Sequence, residues 1–275
     1  VLIYLPEDLL KNMAKVPGAL GRSAKEELQK RTQITPKNQP EAVLSTGLGH
    51  LHKGDCLAVL DSIKENSLDC IFADPPFNLK KFYGSEFNDN LSEADYIRWT
   101  RAWVEKCVQK LKPGGSFLIF NIPKWAMPTA SVLNEFLDFR HWIAIDLPLS
   151  PPIMGKLHPT HYALLYFTKG RPSKFAKPRR PIQICRNCGK ETKDYGGKKK
   201  ALNPLGIGIK DIWDDIPPVR HKSKKNRKAN ELNPKLLFRV LEMTTNPGDL
   251  VFDPFGGSGT TYAIAEILNR RWIGC

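Results

Sequence analysis

Hydrophobic and polar positions change rhythm along this chain. Up to about residue 46 the pattern is mostly polar. Leu9, Leu10 and Met13 share a helical face there, and Ser23 to Glu27 reads as a capped helix start. This predicts a helical N-terminal extension over 1–46 with no chemistry of its own. From Leu48 a different order sets in. His50 to Asp55 reads as a short strand closing on an acid, and Cys56 to Ile63 carries apolar residues at helical spacing. Leu68 to Ala73 is a short apolar run of the kind a doubly covered strand shows, and it leads into Asp74-Pro75-Pro76-Phe77. Tyr96 to Leu111 predicts an amphipathic helix, with Tyr96, Trp99, Trp103, Cys107 and Val108 on one side. Lys112 to Gly115 is a turn, Ser116–Phe120 a buried strand, and a helix follows near Ala130–Phe139. Two further strands, His141–Leu147 and His161–Phe167, are joined by Pro148–Pro159, which is long for a hairpin and predicts a functional loop. Ala229–Met243 is helical again, Asn246 to Asp249 a turn, and Leu250–Phe252 a strand ending at Asp253. A glycine-rich stretch, a helix through Leu268 and the start of a strand at Arg271 complete the chain. Strand and helix alternate throughout, which predicts an α/β, doubly wound, mostly parallel sheet.

Charge divides this picture. The 275 residues carry a net charge of +14. Between Lys169 and Lys228 there are 19 Lys/Arg against 5 Asp/Glu, and the rest of the chain balances at 23 of each. The whole surplus therefore lies in one internal segment. It is either a solvated loop or a module that faces a polyanion. The predicted organisation is a helical extension (1–46), one half of a catalytic domain (47–168), a basic insertion (169–228) and a second, ligand-binding half (229–275). Six scattered cysteines form no disulfide framework, so a cytoplasmic protein is expected. No apolar run approaches the ~20 residues of a membrane span. The chain starts at Val1 and stops within a strand pattern, and so reads as a piece of something longer.

Two motifs carry chemistry. In the first, Asp253, Pro254, Phe255, Gly256, Gly257, Ser258, Gly259 and Thr260 lie between a strand and a helix. Glycines there let the backbone turn sharply and approach a ligand, and the helix start offers free N–H groups. A phosphate-binding loop would need a lysine after its last glycine, and a dinucleotide fingerprint another spacing. The acid at the strand end suits a small zwitterionic nucleoside such as S-adenosyl-L-methionine (AdoMet), whose amino group needs an acceptor and whose carboxylate needs donors. In the second, Asp74 and the Pro75 carbonyl can together accept both N–H bonds of an exocyclic amine, with Phe77 as a flat face for an unstacked base. A proline-rich turn with a capping Asp is the plain alternative.

Together, Asp74-Pro75-Pro76-Phe77 and Asp253 to Gly259 resemble the amino-methyltransferases of DNA, and their order in the chain resembles the β class. The resemblance runs from Leu48 to Cys275. It implies a Rossmann-like AdoMet-methyltransferase sheet, circularly rearranged, with the target-recognition region inserted at 169–228. Catalysis falls on Asp74, Pro75, Pro76 and Phe77, and cofactor binding on Asp253 to Thr260, joined by Asp55 and Asn230. The strand at His161–Thr168 corresponds to one lying near the target base. An acid for the cofactor's ribose is expected where Cys275 ends the chain. Asp at position 74 is typical of the adenine-N6 members, while Ser typifies the cytosine-N4 members. The implied activity is therefore methyl transfer to adenine N6 of a flipped-out base in double-stranded DNA. Cytosine N4, RNA methylation, or a non-catalytic DNA-binding module with a degenerate cofactor site are the alternatives. A restriction–modification setting, with a cognate restriction endonuclease and a homodimer as further partners, belongs to the same resemblance.

Within the basic segment, Lys198, Lys199, Lys200, Arg220, Lys222, Lys224, Lys225, Arg227 and Lys228 are candidate phosphate contacts. Tyr195 and Trp213 could meet bases, although Trp213 reads more readily as core of the insertion. Cys185 and Cys188 form half of a zinc-ribbon pattern without a second pair, so no metal is assigned.

Overall fold

The computed structural model describes residues 40–80, 89–147, 153–155, 157–180, 188, 190, 206–216, 218 and 231–275. Nine strands form one sheet among them. In chain order they are β1 (Ala42–Ser45), β2 (Gly49–His52), β3 (Leu68–Ala73), β4 (Leu111–Asn121), β5 (Asp138–Asp146), β6 (His161–Thr168), β9 (Ile212–Trp213), β10 (Leu250–Asp253) and β11 (Arg271–Gly274). Across the sheet the order is β1-β2-β11-β10-β3-β4-β6-β5-β9, and β7 (Arg179–Arg180) pairs separately with β8 (Ile207–Gly208). The central run β2-β11-β10-β3-β4 is parallel, while β1 and β6 join it antiparallel. This is the mostly parallel doubly wound sheet that the alternation predicted.

Helices cover both faces. On one lie α1 (Cys56–Ser62), α2 (Glu93–Lys110) and α3 (Pro123–Asn134), whose Leu60, Trp103 and Leu133 pack with Ile71, Phe117 and Phe252. On the other lie α4 (Pro234–Thr244) and α5 (Thr260–Ile267), whose Leu237, Leu241 and Ile264 pack with Phe72, Leu118 and Val251. Successive strand residues point to opposite faces, and β3 and β10 are buried on both, which accounts for their nearly unbroken apolar composition.

Several boundaries differ from the sequence reading. α3 starts at Pro123 rather than near Ala130. Pro123 suits a first helical position, and burial of Trp125, Ala126 and Thr129 outweighs the hydrogen bond lost at Pro128. α4 starts at Pro234 rather than Ala229, because Asn233 accepts from the Lys235 N–H and caps it. Ala42–Ser45, expected within the helical preface, instead forms an edge strand on β2. The helix patterns around Leu9 and Ser23 lie outside the described residues.

The basic segment is partly woven into the main sheet. β9 pairs with β5, and Trp213 is buried to 3% exposure among Ile143, Leu236 and Val240. Trp213 is thus core of the main body, not of a separate insertion. Arg239 of α4 lies 4.8 Å over its ring and makes a two-pronged pair with Asp215 at 2.9 and 2.6 Å, while Lys235 adds a third bond. The Arg239 guanidinium holds the Asp215 carboxyl well below the usual carboxylate range. The pair's stabilisation is therefore present above the unfolded carboxyl's pKa and is lost as pH falls through the folded value. Asp215→Ala should cost about 1–3 kcal/mol in urea unfolding at pH 7, because the nearly buried Arg239 loses its partner. The same substitution should cost less at pH 3.

Candidate active site

β3 and β10 lie side by side and parallel, with Val251 opposite Cys70 and Phe252 opposite Ile71. Their carboxyl ends therefore open on one sheet edge, and the chain leaves them in opposite directions: β10 through α5 to β11, β3 through α2 to β4. Such a switch point leaves a crevice between the two exits. A shallow cleft occupies this one, lined by Asp74, Leu232, Asp253, Phe255, Gly256, Gly257, Ser258, Thr260 and Thr261. The two motifs, 179 residues apart in sequence, thus share one cavity.

The glycine-rich turn is held by its own side chains. Asp253 is 2% exposed and accepts from the Phe255 N–H at 2.9 Å and from the Thr261 hydroxyl. Phe255 packs on Trp103 and Trp99 of α2, at 5.2 and 5.6 Å between ring centroids. Gly257 and Gly259 take φ of 56° and 84°, in the left-handed region that favours glycine. Gly259 is the N-cap of α5 and brings no capping side chain, so the first N–H groups of that helix face the cleft without one. The site therefore offers an acid, a bare backbone turn and a helix start, which suits an ammonium and a carboxylate on one small ligand.

Burial raises the Asp253 carboxyl to about 6, against the two hydrogen bonds that favour its charged form. An acid raised in the fold binds its proton more tightly than when unfolded. Its ionisation therefore lowers stability as pH climbs from about 4 to about 6. The same ionisation provides the full acceptor capacity that a cationic ligand needs. Ligand affinity should accordingly fall several-fold from pH 7.5 to pH 5.5, and Asp253→Asn should flatten that dependence while weakening binding at pH 7.5. Titration calorimetry at both pH values reads both effects.

The tetrapeptide is set differently from the sequence reading in one respect. Phe77 is only 8% exposed, its ring covered by Tyr162 at 6.0 Å and Phe120 at 6.2 Å. It supports an aromatic floor whose partly exposed member is Tyr162 of β6. Pro75, Pro76, Phe77, Pro254 and Gly259 flank the cleft without lining it. Asp55 also lies outside the lining and caps α1 by accepting from the Leu57 N–H at 2.8 Å. Leu232 and Thr261 also line the cleft. The strand–helix spacing could have pointed to Thr261, which lies one residue past the predicted turn. Leu232 belongs to the Ala229–Leu232 stretch that the resemblance implies closes over the methionine end of the cofactor. Asn230, Cys185, Tyr195 and the phosphate-contact candidates Lys198, Lys199, Lys200, Arg220, Lys222, Lys224, Lys225, Arg227 and Lys228 lie outside the described residues, while Cys188 is exposed.

Comparison with known proteins agrees with this arrangement. A family model for N6/N4 methyltransferases, described as DNA methylase, matches residues 68–275. The chain is 50% identical over 230 residues to the type II methyltransferase M.BamHI of Bacillus amyloliquefaciens, covering 83% of this chain and 54% of that protein. It thus spans about half the length of that relative. Among solved structures, the PvuII DNA methyltransferase (cytosine-N4-specific) aligns with a TM-score of 0.64 at 20% identity, over 86% of this chain and 85% of the other. M1.HpyAVI, solved as a complex with SAM, aligns with a TM-score of 0.50 at 20% identity, over 82% and 92%. With a matching family model over most of its length and a cleft assembled from both motifs, the chain belongs to the N6/N4 family of DNA methylases.

Proposed function

We propose that this protein transfers a methyl group from S-adenosyl-L-methionine to an exocyclic amino group of a base in duplex DNA, as the modifying member of a restriction–modification pair. The opening of Asp74 and the glycine-rich turn on one cleft carries this reading. The Asp253 carboxylate, the bare turn and the α5 start fit the methionine end of the cofactor, and a neighbour of the same fold was solved with SAM. When bound, the cofactor supplies an electrophilic methyl group. Asp74 and the Pro75 carbonyl accept the two N–H bonds of the target amine and aim its lone pair across the cleft. The gain is one of alignment and exclusion of water. The aromatic floor of Phe77, Phe120 and Tyr162 supports a base turned out of the duplex.

DNA as partner draws support from charge placement. No Asp or Glu occurs from Leu147 to Lys190, while nine Lys/Arg do. Eight of the nine follow β6, whose end lies opposite Ser116 at the sheet edge away from Asp74. They support a polyanionic partner by their charge and not by a place beside the cleft. The segment over 169–228 is proposed as the target-recognition region. Asp at position 74 places adenine N6 first. Cytosine N4 presents the same two N–H bonds, and the PvuII enzyme of the same fold is cytosine-N4-specific. Incubation of the full-length protein with labelled AdoMet and duplex DNA, followed by nucleoside analysis, tests the proposal. Label in N6-methyladenine is expected. Label in N4-methylcytosine would transfer the reading to the other amine, and none in DNA would overturn it.

A further inference from the structure

We propose that Tyr96 is a positioning residue for this reaction, and that it acts by locking the peptide between Pro76 and Phe77. The inference rests on the amino-methylation reading above. Tyr96 lies in the first turns of α2, is 2% exposed, and donates its hydroxyl to the Pro76 carbonyl at 2.7 Å. Asn121, at the end of β4, reaches the same hydroxyl with its amide at 3.4 Å, while its own side-chain oxygen accepts from the Ile122 N–H at 2.8 Å. The phenol thus gives its one proton to Pro76 and faces a donor from Asn121 with its lone pairs. Trp125 of α3, at 4.3 Å, and Trp99, at 5.6 Å, hold the ring in place. α2, α3 and the end of β4 thus meet on the one side chain that holds this carbonyl.

The geometry of proline gives that carbonyl its leverage. Between the Pro75 and Pro76 carbonyls lie one planar peptide bond, the φ of Pro76, which its ring locks, and the ψ of Pro76. Only ψ is soft. A hydrogen bond that fixes the Pro76 carbonyl against α2 therefore restricts the Pro75 carbonyl to what that single torsion allows. Pro75's oxygen accepts no hydrogen bond from a described residue. It is the oxygen assigned to the target amine, beside Asp74. Tyr96 does not touch that amine; it sets where one of the amine's two acceptors stands.

Tyr96→Phe keeps the ring and deletes the bond. The expected result is a kcat about 10- to 100-fold lower, with KM for DNA and the AdoMet dissociation constant changed less than about threefold. A readout specific to the carbonyl is the binding of duplexes whose target base carries or lacks its amine: adenine against purine, or cytosine against pyrimidin-2-one. The wild-type protein should prefer the amine-bearing duplex, and Tyr96→Phe should lose most of that preference. A merely structural role would lower melting temperature and weaken both duplexes alike. Should Tyr96→Phe not fold, Asn121→Ala is measured in the same way, with a smaller loss in the same direction expected. An unchanged preference and near-normal kcat in the folded variant would overturn the role of Tyr96 while leaving methyl transfer standing. Absence of transfer by the wild-type protein would remove both.

Discussion

Replacing Asp74 with alanine should abolish methyl transfer, lowering single-turnover rates by about 10³-fold or more, while AdoMet affinity stays within a few-fold. The expected size follows from the chemistry of the nucleophile. The lone pair of an exocyclic amine on a nucleobase is delocalised into the ring, so the nitrogen is a poor nucleophile until something concentrates that pair on it. Two acceptors in the right directions do so by holding both N–H bonds. A carboxylate is the stronger of the two, because hydrogen bonds to an ionised acceptor are roughly twice as strong as neutral ones. Removing it leaves only the Pro75 carbonyl. Asp74→Asn retains one neutral acceptor oxygen and should fall between wild type and Asp74→Ala. Cofactor binding is spared because the acid, the bare turn and the helix start all belong to the 253–261 segment across the cleft. Rapid-quench transfer to a site-containing duplex, alongside calorimetry with AdoMet, separates the two effects. Equal loss of binding and turnover would assign Asp74 to the cofactor instead.

The legibility of this fold in its sequence follows physical lines. β3 and β10 were readable because strands buried on both faces must be apolar almost throughout, and because each ends in a motif with few other uses. The cleft was readable in kind: one motif offers acceptors to an amine, and the other offers bare backbone to a zwitterion. Their meeting across one sheet edge was legible only through the resemblance to the amino-methyltransferases, because nothing local states that β3 and β10 are neighbours. Short edge strands were lost for a related reason. Ile212–Trp213 is a two-residue strand inside a highly charged segment, and its burial depends on Ile143 and Leu236, far away in the chain. Composition assigned it to the basic segment, whereas packing assigns it to the sheet. Leu232 could be placed over the cleft only through the resemblance, since by composition it is one leucine among many. Helical spacing puts Tyr96 on the buried face of its helix, but its hydroxyl contact with Pro76 is a tertiary fact that spacing cannot hold.

A single methyl group added at Gly256 should disable the cofactor half of the site. Gly256 has no side chain because the space is already taken: a Cβ there would lie 1.8 Å from the Tyr262 hydroxyl and 2.3 Å from the ring carbon that bears it. Tyr262 cannot easily yield. Its ring stacks on Trp272 at 4.8 Å, lies against Gly274 on another side, and is 2% exposed. Its hydroxyl donates to the Asp253 carbonyl at 3.1 Å and approaches the Cys275 carbonyl at 3.3 Å, tying the ends of β10 and β11 together. The turn must therefore move instead, and with it the N–H groups that face the cleft. Overpacking of this kind costs about 1–3 kcal/mol. If about half of that falls on the ligand-bound geometry, AdoMet affinity drops about 2- to 13-fold. Gly256→Ala should accordingly lower both melting temperature and cofactor affinity. Tyr262→Phe should not rescue it, because the ring carbon remains too close. Gly47→Ala, with nothing within 4 Å of the added carbon, should leave both unchanged. Calorimetry with AdoMet on the three proteins decides the matter: full rescue by Tyr262→Phe would mean that the hydroxyl alone, and not the stacked ring, shapes the glycine turn.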